Sequence, residues 1–384
     1  MTDTPTSAVP NRTPRILAFG TYNARRHPRV GILIEGLRRN GCSVTEINHP
    51  LRLSTAQRVE ILKKPWKLFG FAWNLLSLWR VLRREARSWI RTNGKPDAVL
   101  VGYMGHFDVL LAHHVFKGVP IILDHLIFAG DTAKDRGAQG IKVGLLNVLD
   151  RLAIDAATLT VLDTEEHQHM CRPTDETMVI PVGASEEWYD AGAQQISATA
   201  AGTAARSHDI VFYGLYTPLQ GVPVIAQAAK ELASRGLTPC FTLIGKGQDY
   251  AEVRSITAEL DNMEFLDWVE PEQLPQIIAS HGISLGIFST TSKGLHVVPN
   301  KVYQSMAAGC AVITSDTAPQ RRELGDGVLY VEPGDATALA DAIEELLSDS
   351  KRLAKAQHNA RIVSEQFRSQ VITWPLVQWI KRNN

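Results

Sequence analysis

Val298–Pro319, VPNKVYQSMAAGCAVITSDTAP, is the stretch from which the fold of this chain can be read. Pro299 and Asn300 suit the end of a loop, and Lys301 to Ala308 contains neither Gly nor Pro, which predicts one short helix. Gly309 can stop that helix by taking φ > 0, and Ala311-Val312-Ile313-Thr314 is a short β-rich apolar run of the kind buried in parallel sheets. Such a loop, helix and strand turn the helix N-terminus, with its free N–H groups and positive dipole end, to where an anion can sit. Lys301 falls in that first turn. By itself the unit fits any doubly wound α/β protein.

The same alternation runs outward in both directions. Short apolar runs, many of them ending in Gly, stand at Arg15–Gly20, Asp97–Gly102, Val119–Asp124, Thr158–Leu162, Val179–Gly183, Ile210–Gly214, Cys240–Gly245, Phe265–Val269 and Ile283–Phe288. Segments of helical spacing separate many of them, as a doubly wound sheet requires. Ligands bind such sheets at the carboxyl ends of the strands. That rule singles out the loop Thr21 to Arg29, with Arg25, Arg26 and Arg29 able to meet a phosphate and Gly20 letting backbone approach. It also aims Asp124 and His125 into a crevice, although His125 and His106 also fit the commoner part of a buried, hydrogen-bonded histidine.

At 384 residues, two domains of ordinary size are expected. Forty basic and forty acidic residues leave no net charge, which argues against nucleic acid as a partner held by bulk electrostatics. Cys42, Cys171, Cys240 and Cys310 form no Cys-x-x-Cys pair, so neither a zinc site nor a disulfide framework is indicated. Residues 1–14 read as a disordered leader without the apolar core of a signal peptide, so a cytoplasmic location is expected. Asp190 to Thr203, DAGAQQISATAAGT, is small and polar and reads as part of a linker. The expected division is an N-terminal domain over 15–185, a linker over 186–208, a C-terminal domain over 209–366, and a final segment 367–384 returning to the first domain.

Lys63 to Arg91 holds eight Lys or Arg against one Glu, and Trp66, Trp73, Trp79 and Trp89. Its apolar part falls short of the roughly 20 residues of a membrane span. A basic helix with aromatic residues is the pattern of one lying on anionic lipid. A core helix with buried Trp and a wet basic face fits equally.

From Arg15 to Trp379 the chain resembles the family-4 retaining glycosyltransferases, in which a Pro-x-Lys loop leads into a Glu-x-Met-Ala-x-Gly helix and a Pro-(Val/Ile)-(Val/Ile) strand. The resemblance implies an α/β fold of GT-B architecture, two Rossmann-like doubly wound domains facing each other across a cleft. It implies transfer of a sugar from a nucleotide diphosphate, UDP- or GDP-linked, to a hydroxyl acceptor. The nucleotide sugar is then a co-substrate and no cofactor is expected. Asp124 or His125 stands near the transferred sugar, and Lys301 meets the leaving diphosphate. Donor contacts fall to Gly20, Thr21, Arg29, Gly214, Lys246, Gly294, His296, Asn300 and Gln304, with Trp268 and Val269 beside the base. Arg29 is chosen among the loop arginines because the resembling sequences carry a His-Pro-Arg element there.

This chain departs from that pattern at four places. Leu215 and Gln220 stand where the family has the Arg and Lys that bind the diphosphate, and His296 and Gln304 where it has two glutamates. An amide has less acceptor capacity than a carboxylate and no charge. No Asp-x-Asp motif is apparent, so no metal is expected. Acceptors of such enzymes are often lipid-linked, which implies work in cell-surface polysaccharide or glycolipid synthesis at the inner face of the membrane, with peripheral contact through residues 63–91. The alternatives are a sugar-nucleotide-binding protein that has lost transfer, motivated by the four departures, and a nucleotide-sugar epimerase of the same architecture.

Overall fold

The computed structural model describes residues 12–24, 27–51, 67–135, 137–203, 206–207 and 209–383. Most of the expected leader, Arg25, Arg26 and residues 63–66 of the basic segment lie outside the described residues.

Among the described residues, two six-stranded parallel sheets organise the chain. The first holds β1 (Arg15–Gly20), β2 (Ser43–Asn48), β3 (Ala98–Val101), β4 (Ile121–Asp124), β5 (Leu159–Leu162) and β6 (Thr177–Val179), in the order β2-β1-β3-β4-β5-β6. The second holds β7 (Ile210–Tyr213), β8 (Phe241–Ile244), β9 (Met263–Leu266), β10 (Ile283–Leu285), β11 (Ala311–Ser315) and β12 (Leu329–Val331), which from one edge run β9-β8-β7-β10-β11-β12. Helices cover both faces, so inner strands such as AVLV of β3 and LTVL of β5 are buried at every position. Register is set by contacts such as Val99 opposite Ile121 and Leu123 opposite Thr160. The winding reverses between β1 and β3 and again between β7 and β10, and at such switch points a crevice opens beyond the carboxyl ends of the strands.

The opening stretch forms a helix over Asn300–Ala307, then Gly309 at φ 77°, then β11 with all five residues buried. Edge strand β2, SVTEIN, escaped the sequence reading because only Ile47 is fully buried and its other positions are half-buried or exposed.

The segment read as a linker is largely a helix, Glu186–Ala200, and it is packed. Trp188 stacks on Tyr213 at 5.8 Å, and the Tyr189 hydroxyl donates to the Ser364 carbonyl oxygen at 2.7 Å. A Cβ on Gly192 would lie 2.6 Å from the Ala307 carbonyl oxygen. The small residues therefore serve close approach of two helices, which a search for large apolar residues does not register.

The final helix, Ser369–Arg382, returns to the first domain as expected. It packs on the Pro28–Arg39 helix, where Asn40 Nδ2 donates to the Gln370 carbonyl oxygen at 2.8 Å. A single buried cluster includes Ile180, Val182, Trp188, Tyr303, Phe367 and Ile372, so the halves share an apolar seam. Each large side chain buried there contributes about 1.5–3 kcal/mol. All four cysteines are free thiols.

Candidate functional site

Lys301 stands in the first turn of the Asn300–Ala307 helix, whose N-cap, Pro299, supplies no side-chain capping bond. Its side chain runs to the carboxyl end of β7, beside the switch point of the second sheet. There Nζ donates to Gln220 Oε1 at 2.6 Å and lies 3.6 Å from the centre of the Phe212 ring. Gly214, at φ 147°, makes the space: a Cβ on it would stand 2.9 Å from that Nζ. Burial pushes the Lys301 amine well below the ordinary lysine value. The resemblance places a family lysine at position 220, and Lys301 brings its amine within hydrogen-bond distance of that residue. Leu215, where the family has Arg, is exposed.

Gln304 turns inward. Its Oε1 lies 3.3 Å from the Tyr213 hydroxyl, which is also 3.1 Å from the Lys301 carbonyl oxygen, so this amide braces the helix against β7. Gln304, expected at the donor, makes this bracing contact instead. Asn300 is half-buried at the helix start, and His296 is exposed. Gly294 lies in a short 3-10 turn, and its N–H donates to Thr291 Oγ1 at 3.2 Å, while those of Leu295 and His296 donate to Thr291 and Lys293 carbonyls. The N–H groups of Gly294 and His296, two residues expected at the donor, are thus satisfied within this loop.

Lys246 is an exposed residue paired with Asp267 at 2.5 Å, which raises its ammonium above the ordinary value. Trp268 follows β9 with an exposed ring whose Nε1 donates to Glu270 at 3.1 Å, and Val269 packs partly buried against the main core.

The expected site residues Gly20, Thr21, Arg29 and Asp124 are instead engaged within the first domain. Arg29 is the second residue of the Pro28–Arg39 helix and is almost fully buried. Its Nε donates to Asp124 Oδ1 at 2.7 Å and its two Nη atoms to the carbonyl oxygens of Pro181 and Ile180, both at 2.9 Å. Arg29 therefore ties β4 to the chain leaving β6 and presents no donor to a phosphate. Asp124 faces Arg29, not an open crevice; burial raises its carboxyl and the guanidinium opposes that rise. Gly20, at φ 144°, leaves room for Asp108, whose Oδ2 accepts from the Thr21 N–H at 2.7 Å and the Thr21 hydroxyl at 2.8 Å. Trp79 Nε1 donates to the other oxygen of Asp108 at 3.0 Å.

His125 is also buried, edge-on to Phe128 and to His106. Its Nε2 lies 3.7 Å from Asp150 Oδ1 and has no hydrogen-bond partner. Burial pushes the imidazole down to about 3, with His106 adding to the effect, so the ring is neutral at ordinary pH. Asp150 accepts from His106 at 2.8 Å and from the N–H groups of Ala129 and Gly130. Burial raises the Asp150 carboxyl, but these hydrogen bonds outweigh it and hold the group below the ordinary value. Among the described residues, His106, His125 and Asp150 are the group whose ligand atoms lie close enough for a metal ion, within 4.8 Å of one another.

The two halves meet here. The Thr164 hydroxyl donates to the His296 carbonyl oxygen at 3.1 Å, Lys293 Nζ to Thr132 at 2.8 Å, and Arg322 to Glu166 at 2.6 Å. Next to Thr164, Asp163 and His167 form a buried pair at 2.5 Å. Lys301, Gly214 and Gln304 thus gather at the carboxyl end of β7 in the second domain, while Arg29, Asp124 and Thr21 find partners within the first and His125 is buried beside His106 and Phe128. Asp108, Asp150 and the Asp163–His167 pair escaped the sequence reading. Their signal was an acid within an apolar helix, as in Asp108-Val-Leu-Leu-Ala and Val-Leu-Asp150, and an Asp and His four residues apart.

The family described as Glycosyl transferases group 1 matches residues 207–349, which hold Lys301, Gln220 and Gly214. This carboxy-terminal part is similar to the group 1 glycosyl transferases, and the two-sheet fold of the chain is that of GT-B structures. D-inositol 3-phosphate glycosyltransferase of Gordonia bronchialis is similar, at 23% identity over 296 residues. That match covers 68% of this chain and 63% of the relative, less than two thirds of the relative's length. Sucrose-phosphate synthase of Thermosynechococcus elongatus shares the fold with a TM-score of 0.66 at 15% identity, covering 97% of this chain and 99% of that one. Anabaena HepE in complex with UDP does so with a TM-score of 0.62 at 14% identity, covering 97% and 100%.

Proposed function

We propose that the protein transfers a sugar, with retention and without a metal, from a nucleotide diphosphate to a hydroxyl acceptor. The observation that carries this reading is Lys301: a buried amine in an uncapped helix N-terminus, at the switch point of the matched domain, facing an amide and a ring. In this reading the diphosphate sits against that helix start, and Lys301 stabilises the charge that grows on the leaving group. The cleft keeps water from the donor, and the acceptor hydroxyl gives its proton to the departing phosphate. The donor carries UDP or GDP, and HepE in its complex with UDP supports the former. The acceptor is a lipid-linked hydroxyl at the cytoplasmic face of the membrane, and the product belongs to a cell-surface polysaccharide or glycolipid.

Thermal-shift screening with UDP-, GDP- and ADP-sugars tests the donor, because a ligand that binds only the folded state raises the melting temperature. Nucleotide release in the presence of acceptor tests the transfer. No stabilisation by any of them overturns the reading. The inward turn of Gln304 favours a second reading, a protein that binds the sugar nucleotide without turnover. Stabilisation with no nucleotide release would select it.

A further inference from the structure

The long helix Lys67–Asn93 buries Leu75, Leu82 and Ala86 and turns the opposite stripe to solvent. At the spacing of successive turns that stripe reads Phe69, Trp73, Leu76, Arg80, Arg83, Arg87 and Arg91, all exposed. Its first half is apolar and its second half cationic. Phe69 is 81% and Trp73 70% exposed, which no core role explains. The one acid of the helix, Glu85, lies off the stripe and pairs with His49 at 2.9 Å. Trp79 and Trp89, by contrast, pack toward the interior. The helix thus has one packed side and one side of exposed aromatic and basic residues.

A second helix repeats the pattern. Ile141–Ala156 buries Val143, Asp150, Ala153 and Ile154 and exposes Ile141, Leu145, Val148 and Leu152, again spaced by turns. Ile141 is 84% and Leu145 65% exposed, and Lys142 stands beside them. Both helices flank the Asp108–Val115 helix on one face of the first sheet, joined through Leu82, Ala86, Leu111, Ala112 and Ala153. Their outward stripes therefore lie on the same side of the domain. A hollow of about 460 Å³ adjoins the cationic half, lined among others by Arg83, Arg87, Lys95, His114 and Lys117.

We propose that these two helices form one docking surface for an anionic phospholipid bilayer. Phe69, Trp73, Leu76 and the stripe of the second helix enter the interfacial layer, and the arginines and the adjoining hollow receive phosphate headgroups. Charge complementarity selects this occupant: apolar side chains continue without a break into a row of arginines, the composition that binds negatively charged interfaces. The docking stands apart from the transfer reaction, since a chain that bound no nucleotide sugar would still dock.

Co-sedimentation of the full chain with vesicles of phosphatidylcholine, alone and with a minority of phosphatidylglycerol, tests it. The wild type is expected to pellet with the anionic vesicles only, and less so as salt is raised. The triple variant Arg80→Gln, Arg83→Gln, Arg87→Gln is expected to lose about a hundredfold in partitioning. Phe69→Ser with Trp73→Ser, and separately Ile141→Ser with Leu145→Ser, should each weaken binding at unchanged melting temperature. Wild type remaining in solution with both vesicles overturns the proposal, as does binding that none of the variants alters. Light scattering that shows a dimer dissociated by the serine variants also overturns it, because a second copy of the chain then covers the surface.

Discussion

Arg29 Nε donates to Asp124 Oδ1 across 2.7 Å in the interior of the first domain, with both side chains almost wholly out of water. Deleting one partner of such a pair strands the other charge, which costs about 3–5 kcal/mol. Arg29→Met is therefore expected to lower the stability measured in urea by about that amount. A phosphate-binding arginine would give the opposite result, full stability with weakened donor affinity.

Gly192 separates a packed helix from a linker. Alanine there puts a Cβ 2.6 Å from the Ala307 carbonyl oxygen, and the Asn300–Ala307 helix must shift to admit it. Overpacking of this kind costs about 1–3 kcal/mol. Gly192→Ala should lower the melting temperature, whereas Gly202→Ala, which has no neighbour within 4 Å, should lower it less even though Gly202 has φ 68°. Equal melting temperatures for wild type and Gly192→Ala would mean that the segment is loose.

His125 sets a direction for stability against pH. The folded chain keeps it neutral down to about 3, whereas the unfolded chain protonates it near 6.5. Stability is thus fully present above that unfolded value and drains away as pH falls from it toward the folded one. His125→Gln removes the titrating group, so its melting temperature should fall less than that of the wild type between about pH 7 and about pH 5. Asp150, held below the ordinary carboxylate value, adds to the loss only at lower pH. Parallel melting curves for the two proteins would show that His125 does not titrate on unfolding.

Lys301 makes a prediction about protons. Burial holds its amine toward the neutral form in the unliganded protein, and a bound diphosphate favours the ammonium. UDP binding should take up a proton, and affinity should fall as pH rises. Calorimetry in two buffers of different ionisation enthalpy reads the uptake directly, and equal heats would show that no proton is taken up.

The alternation of buried strands and helices was legible because parallel sheets covered on both faces need unbroken apolar runs, and LTVL or AVIT can hardly be anything else. The Asn300–Ala307 helix and β11 were legible for the same reason, with Gly309 between them. β2 was not, since a mostly half-buried edge strand carries no such run. The helix through Gly192 was not, since Ala and Gly make close packing without a hydrophobic signal. In the site, residue type alone could not tell a ligand-facing charge from one closed by a distant partner. Arg29 and Asp124 are 95 positions apart, and only the fold brings them together. The place of Lys301 at a helix start was legible because it is a local property, whereas its role at a donor came only with the resemblance and its contact with Gln220 spans 81 positions.

The most direct measurement is the affinity of UDP for the wild type and for Lys301→Met, by calorimetry at one pH. Loss of a buried ammonium that meets the diphosphate should weaken binding at least about tenfold, or about 1.4 kcal/mol, with the melting temperature of the unliganded variant unchanged or raised. Equal affinities for the two proteins would contradict the placement of the diphosphate at this helix and with it the proposed reaction.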